Sequence, residues 1–144
     1  PLVDVRGWAL VAAAADPFAA FAEGRIRCGP DDWHRDRTEV EIETKRCGHA
    51  TLVQPALREV GSGDEVRFIA WWNRLLSLSP ATGHFALAFG QKVVWQVTVA
   101  IPGEADLREV VLTDLPPIRR GDPIYVHVHN HGYNTWKLGP IFVR

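Results

Sequence analysis

The chain has 144 residues, with sixteen Lys and Arg against seventeen Asp and Glu, for a formal charge of −1. That balance excludes the long-range field that draws a protein to nucleic acid or to an anionic membrane surface. A chain of this length buries roughly 70% of the surface its unfolded form exposes, so it needs neither a metal nor a disulfide merely to fold, and residues 1–144 read as one domain.

In chain order, the longest apolar run, Ala9 to Ala15, is too short to span a bilayer and is followed by Asp16. No basic segment precedes it, so it does not read as a secretory signal. With Pro1 at the start and no methionine anywhere, this leans toward a cytoplasmic protein, although a mature secreted form or a trimmed chain would look the same. Asp16 to Glu23 (DPFAAFAE) reads as a short helix, with Asp16 as its cap and Pro17 in the first turn. Cys28 and Cys47 fit no zinc-ligand spacing and leave two readings open, one disulfide or two unlinked thiols. Asp31 to Asp36 (DDWHRD) reads as a charged loop anchored by its tryptophan.

After Arg37 the chain punctuates as short strands between turn residues. Thr38 to Thr44 (TEVEIET) alternates strictly, with Val40 and Ile42 inward. Glu65 to Trp72 follows a turn at Gly61 to Asp64, and Leu75 to Leu78 reads as one helical turn. His84 to Phe89 and Lys92 to Ala100 form a hairpin at Gly90-Gln91, where glycine supplies the positive φ of a tight turn. In the second of these strands Trp95 has core spacing. Leu107 to Leu112, the segment from Gly121 to Asn130, and Trp136 to Val143 complete the set. The expectation is an all-β, jelly-roll-like antiparallel sandwich of about seven or eight strands with one short helix near the amino terminus.

The stretches GHFALAFGQKVVWQ and LPPIRRGDPIYVHVHNHGYNTW, with Gly90-Gln91-Lys92-Val93 at a hairpin tip and Arg120-Gly121-Asp122 before an alternating strand that ends at Asn130-His131-Gly132, resemble the galactose-binding-like jelly roll. The resemblance covers residues 61–144 and is closest to the accessory sugar-binding domains attached to glycoside hydrolases. It implies a β-sandwich that binds carbohydrate through the loops at one end.

Chemistry-bearing residues gather in the same half. His127, His129 and His131 stand at every second position, on the face of a strand opposite Ile124, Val126 and Val128. Same-face neighbours lie about 6 to 7 Å apart and three of them span about 13 Å, so two of these imidazoles with His84 from another strand make a more plausible divalent transition-metal site than all three. The other readings are the polar side of an ordinary strand, or hydrogen bonding to a ligand. Six tryptophans supply candidate sugar platforms, each with an N–H that wants a partner when buried. Asn73, Arg74, His131, Tyr133, Asn134 and Trp136 are the expected ligand-binding residues, with Trp71 as an alternate platform. No nucleophile elbow, zinc-protease motif, phosphate loop or dinucleotide fingerprint occurs, and no catalytic residue is assigned. A non-catalytic carbohydrate-binding module is therefore expected, with no obligatory cofactor. The alternatives are a metal-dependent enzyme of cupin-like geometry built on His84, His127 and His129, and a self-associating module, a homo-oligomer through its surface aromatics.

Overall fold

A computed structural model describes all residues 1–144. Eleven strands succeed one another: β1 (Ala9–Leu10), β2 (Trp33–Asp36), β3 (Glu39–Glu43), β4 (His49–Pro55), β5 (Val66–Trp72), β6 (Ala81–Phe89), β7 (Lys92–Ile101), β8 (Asp106–Leu112), β9 (Pro123–Asn130), β10 (Thr135–Leu138) and β11 (Phe142–Val143). One sheet has the order β1-β4-β9-β6-β7, the other β11-β5-β10-β3-β2 with β8 also paired to β5. Every pairing between these strands is antiparallel. The all-β, two-sheet, jelly-roll-like sandwich is thus the fold.

The period-two pattern is obeyed where it was clearest. Ile124, Val126 and Val128 of β9 are buried in the main core with Val40 and Ile42 of β3, Leu52 of β4, and Phe85 and Leu87 of β6. The intervening residues Tyr125, His127 and His129 therefore lie on the outer face of the five-stranded sheet. The β6–β7 hairpin turns at Gly90-Gln91, with Gly90 at φ +58.

Four expectations need correction. The segment Asp16–Glu23 is not an α-helix; only Ala19–Ala22 winds, as a 3₁₀ turn. In that geometry residues three apart eclipse, which lets Phe18 and Phe21 both lie against the outer sheet face, and the Asp16 carboxylate accepts from the Phe18 N–H at 2.8 Å. Trp33–Asp36 is an edge strand rather than a loop, because its backbone pairs with β3 in the register Trp33↔Ile42 to Asp36↔Glu39. Leu75 makes no helical turn; its backbone exchanges two hydrogen bonds with Gly103 (2.8 and 3.1 Å). The final strand is broken. β8 occupies one edge of β5, so β10 and β11 share the other, in the registers Leu138↔Ala70 and Phe142↔Arg67, with Gly139–Ile141 as the interruption.

Candidate functional site

The outer face of the five-stranded sheet carries two adjoining rungs of side chains, polar except for Ala86. In the first, β4, β9, β6 and β7 align His49, His129, His84 and Thr98; in the second they align Thr51, His127, Ala86 and Gln96. Directly opposed residues on neighbouring strands have Cβ atoms about 5 Å apart, so antiparallel register alone packs four imidazoles together. The candidate donor nitrogens of His84, His127 and His129 lie within 4.8 Å of one another. The structure therefore assembles the trio expected from the sequence, and His131 lies beyond the strand end.

A hydrogen-bond chain orders the cluster. Thr51 Oγ1 lies 2.8 Å from His127 Nδ1, and His127 Nε2 lies 2.8 Å from His129 Nδ1. His84 Nε2 faces Gln96 Oε1 at 2.8 Å. An amide oxygen only accepts, so Nε2 donates, which in the neutral ring leaves Nδ1 as an acceptor. That Nδ1 is buried and has no hydrogen-bond partner. His49 Nε2 donates to Asp16 Oδ2 at 2.7 Å, and Arg27 Nη1 donates to the same oxygen at 3.0 Å.

Two phenylalanines roof the cluster. Phe18 stacks on His127 with ring centroids 4.2 Å apart and planes 3° apart, and Phe21 stacks on His129 at 4.4 Å and 18°. Covering an imidazole disfavours its charged form. Burial, helped by His49 and His129, pushes His127 down to about 2. Burial, helped by His84 and Arg25, pushes His129 down to about 4. Both rings are neutral at neutral pH. Burial alone would raise the Asp16 carboxyl, but hydrogen bonds from His49, the Phe18 N–H and Arg27 outweigh it and hold that group well below the usual carboxylate range.

A second feature opens at one end of the sandwich, where the loops after β3, β5 and β9 meet residues 24–26. It is a cleft of about 410 Å³ lined among others by Arg25, Lys45, Arg46, Asn130, His131 and Tyr133. No Asp or Glu lines it. Its walls are fastened by the Cys28–Cys47 disulfide, by Gly48 N–H to Ile26 O (2.8 Å) and by Tyr133 N–H to Leu76 O (3.1 Å). The two cysteines are thus linked, which resolves the two readings left open above. Tyr133 is 56% exposed at the rim. Asn130 Oδ1 and Arg25 Nε, an acceptor and a donor on lining residues, are buried without hydrogen-bond partners.

The expected ligand residues separate into four groups. His131 and Tyr133 line the cleft. Asn134 is buried beneath it and structural: its Oδ1 accepts from Leu76 N–H at 2.7 Å, its backbone oxygen accepts from Thr44, and its Nδ2 lies 3.4 Å from His131 O. Trp136 is a correction. It is 0% exposed, packed against Trp72 and Phe85 at 5.7 Å, and cannot serve as a platform. Even-numbered positions of β10 face inward, as Leu138 does, and Gly83 is small because a Cβ there would sit 2.7 Å from the Trp136 ring. Trp71, Asn73 and Arg74 do not line the cleft; Trp71 lies on the outer face of the other sheet, its ring across Gly139.

No protein-family model matches the chain, and no curated protein matches it. Among solved structures it is similar to TmCBM61 in complex with β-1,4-galactotriose, at 13% identity over 83% of this chain and 79% of that one, with a TM-score of 0.40. It is similar to a CBM4 structure at 8% identity over 97% and 87% of the two chains, with a TM-score of 0.48. It is also similar to the enzymatically active domain of bacteriophage CBA120 tailspike protein 4, at 13% identity over 73% of this chain and 15% of that one, with a TM-score of 0.37. The first two are carbohydrate-binding modules with a galactose-binding-like jelly roll.

Sequence reasoning missed His49, Thr51 and Asp16 beside the imidazoles, and Phe18 and Phe21 above them. The alternation of His49 and Thr51 in HATLVQP was the available signal for two of these, since both fall on one strand face. It also missed Arg25, Lys45 and Arg46 at the cleft. Nothing in the local sequence brings residue 25 to residue 46; the disulfide and the adjoining backbone bonds do.

Proposed function

We propose that this protein is a non-catalytic binding module whose ligand is a carbohydrate, and more narrowly an acidic one, held in the loop-end cleft. The observation that carries the reading is the composition of that cleft: an exposed tyrosine ring beside three cationic side chains, with no carboxylate. A ring of this kind offers a flat apolar face to a pyranose. Lys45 would pair with a uronate or sulfate, aided by Arg46, whose guanidinium also lies 3.6 Å from Asp32, and by Arg25, whose Nη1 donates to Phe21 O at 2.8 Å. Hydrolysis would require two carboxylates facing each other across the bond to be cut, and the cleft lining supplies none, so binding is favoured over turnover. The weak likeness to solved structures adds no weight; the cleft stands on its own geometry.

A glycan array spanning neutral, uronate-containing and sulfated oligosaccharides, followed by calorimetry on the best binder, tests the proposal. Tyr133→Ala should weaken binding about ten-fold or more, and the Lys45→Ala/Arg46→Ala pair should remove the preference for acidic over neutral sugars. Wild-type protein that binds no glycan, or binding indifferent to all three changes, would overturn it.

A further inference from the structure

The geometry points to a second site on this protein: a divalent transition-metal site of the zinc type, held by His84, His127 and His129 on the outer face of the five-stranded sheet, none of which lines the cleft. Three observations converge. The candidate donor nitrogens lie within 4.8 Å of one another. His127 Nε2 and His129 Nδ1 point at each other at 2.8 Å. Nδ1 of His84, a residue only 7% exposed, faces no hydrogen-bond donor.

A polar cluster that existed only to fill space would satisfy each of its buried nitrogens, as buried polar groups in folded proteins generally do. This one instead leaves Nδ1 of His84, like Nδ1 of His49, unpartnered beside two neutral rings. A cation is the species that three such nitrogens accommodate once the proton between His127 and His129 has moved to the far side of its ring. Metal–nitrogen bonds of about 2.0 to 2.1 Å in tetrahedral geometry put neighbouring ligand atoms about 3.3 Å apart. His127 and His129 need therefore part by only about half an ångström, the proton now between them moving to the far nitrogen of its own ring by a tautomer change, while side-chain rotation brings His84 in.

The surroundings are those that orient metal-bound imidazoles. On loading, His127 coordinates through Nε2 and its Nδ1–H donates to Thr51 Oγ1; His84 coordinates through Nδ1 while its Nε2–H donates to Gln96 Oε1. An all-imidazole set suits zinc, copper, nickel or iron, not calcium or magnesium, which take oxygen. Three ligands leave at least one position of a tetrahedral ion for water. The two other groupings of metal-ligating residues are weaker candidates. Cys28 and Cys47 are joined to each other, and Glu41 of the His34, Glu41 and Glu43 group is paired with Lys137 at 3.0 Å.

The test uses untagged full-length protein stripped with chelator, titrated with Zn²⁺ by calorimetry and with Co²⁺ by visible absorption. One ion per chain is expected, with the intense Co²⁺ bands of a four-coordinate nitrogen-rich site. His84→Gln and His129→Gln, chosen because His127 is wholly buried, should each weaken Zn²⁺ at least ten-fold, and Gln96→Ala about ten-fold or more. Denaturant titration of each metal-free variant establishes that it is folded. Folded wild type that takes up no stoichiometric Zn²⁺ at 100-fold molar excess would overturn the proposal. So would uptake unchanged in His84→Gln, or uptake abolished by His34→Ala.

Discussion

Asn134 distinguishes a residue that touches ligand from one that builds the loop on which ligand rests. Replacing it by alanine deletes the Oδ1 acceptor that Leu76 N–H uses at 2.7 Å and the weaker 3.4 Å contact from Nδ2 to His131 O. The orphaned, partly buried N–H costs about 1 to 2 kcal/mol and the longer contact about half a kcal/mol. The backbone bonds between Asn134 and Thr44 survive the change, since they use main-chain atoms of residue 134. The expected destabilisation is therefore about 2 kcal/mol, a fall of roughly 5 °C in Tm for a chain of this size. Urea denaturation followed by tryptophan fluorescence measures it, with an unchanged slope expected. Binding should weaken only as far as the loop carrying His131 and Tyr133 loosens. A stability change below half a kcal/mol together with abolished glycan binding would refute the assignment and make Asn134 a ligand contact.

Two other substitutions check the interior. Trp136→Ala, which empties a fully buried indole between Trp72 and Phe85, should cost about 3 to 5 kcal/mol, whereas the exposed Tyr133→Ala should stay within about half a kcal/mol of wild type; equal effects in denaturant titrations would contradict the burial assigned to the two rings. Asp16→Asn, which breaks a pair whose side chains are buried on both sides, should cost about 3 kcal/mol at neutral pH. Because the folded-state pKa of Asp16 is depressed below the ordinary carboxylate value of 3.8, its contribution is fully present above that value and is lost as the pH falls below it. Acid titration of stability should accordingly be shallower in Asp16→Asn than in wild type below about pH 4, and parallel curves would refute the linkage.

How much of this was legible in the sequence depends on the range over which each feature is decided. Strand identity is local, so β3, β6, β7 and the β9 alternation that sends His127 and His129 to one face could be read directly. The inward side of β10 was harder. Trp136 stands after HisGlyTyrAsnThr, and whether an aromatic after a turn points in or out depends on the turn's exact length and on Gly83 of a distant strand leaving room for it. The helix expected at residues 16–23 failed for a related reason: cap and proline signals describe only the local chain, while the sheet below offered Phe18 and Phe21 two imidazole faces to stack on. That tertiary contact outweighed a propensity worth a few tenths of a kcal/mol per residue.

The histidine pair showed the reverse. Period two brought His127 and His129 to one face, but the third donor came from register, His84↔His129, which no spacing within β9 encodes. Register also set Thr51 beside His127 and aligned Gln96 with the same rung. A site of this kind is thus assembled by sheet pairing that the hydrophobic pattern fixes, since a slip of one residue would turn Val126 and Val128 outward and carry the imidazoles into the main core. The aliphatic side of β9 therefore constrains the polar side. Substitutions at Val126 or Val128 that loosen this register should disturb the imidazole cluster without touching it.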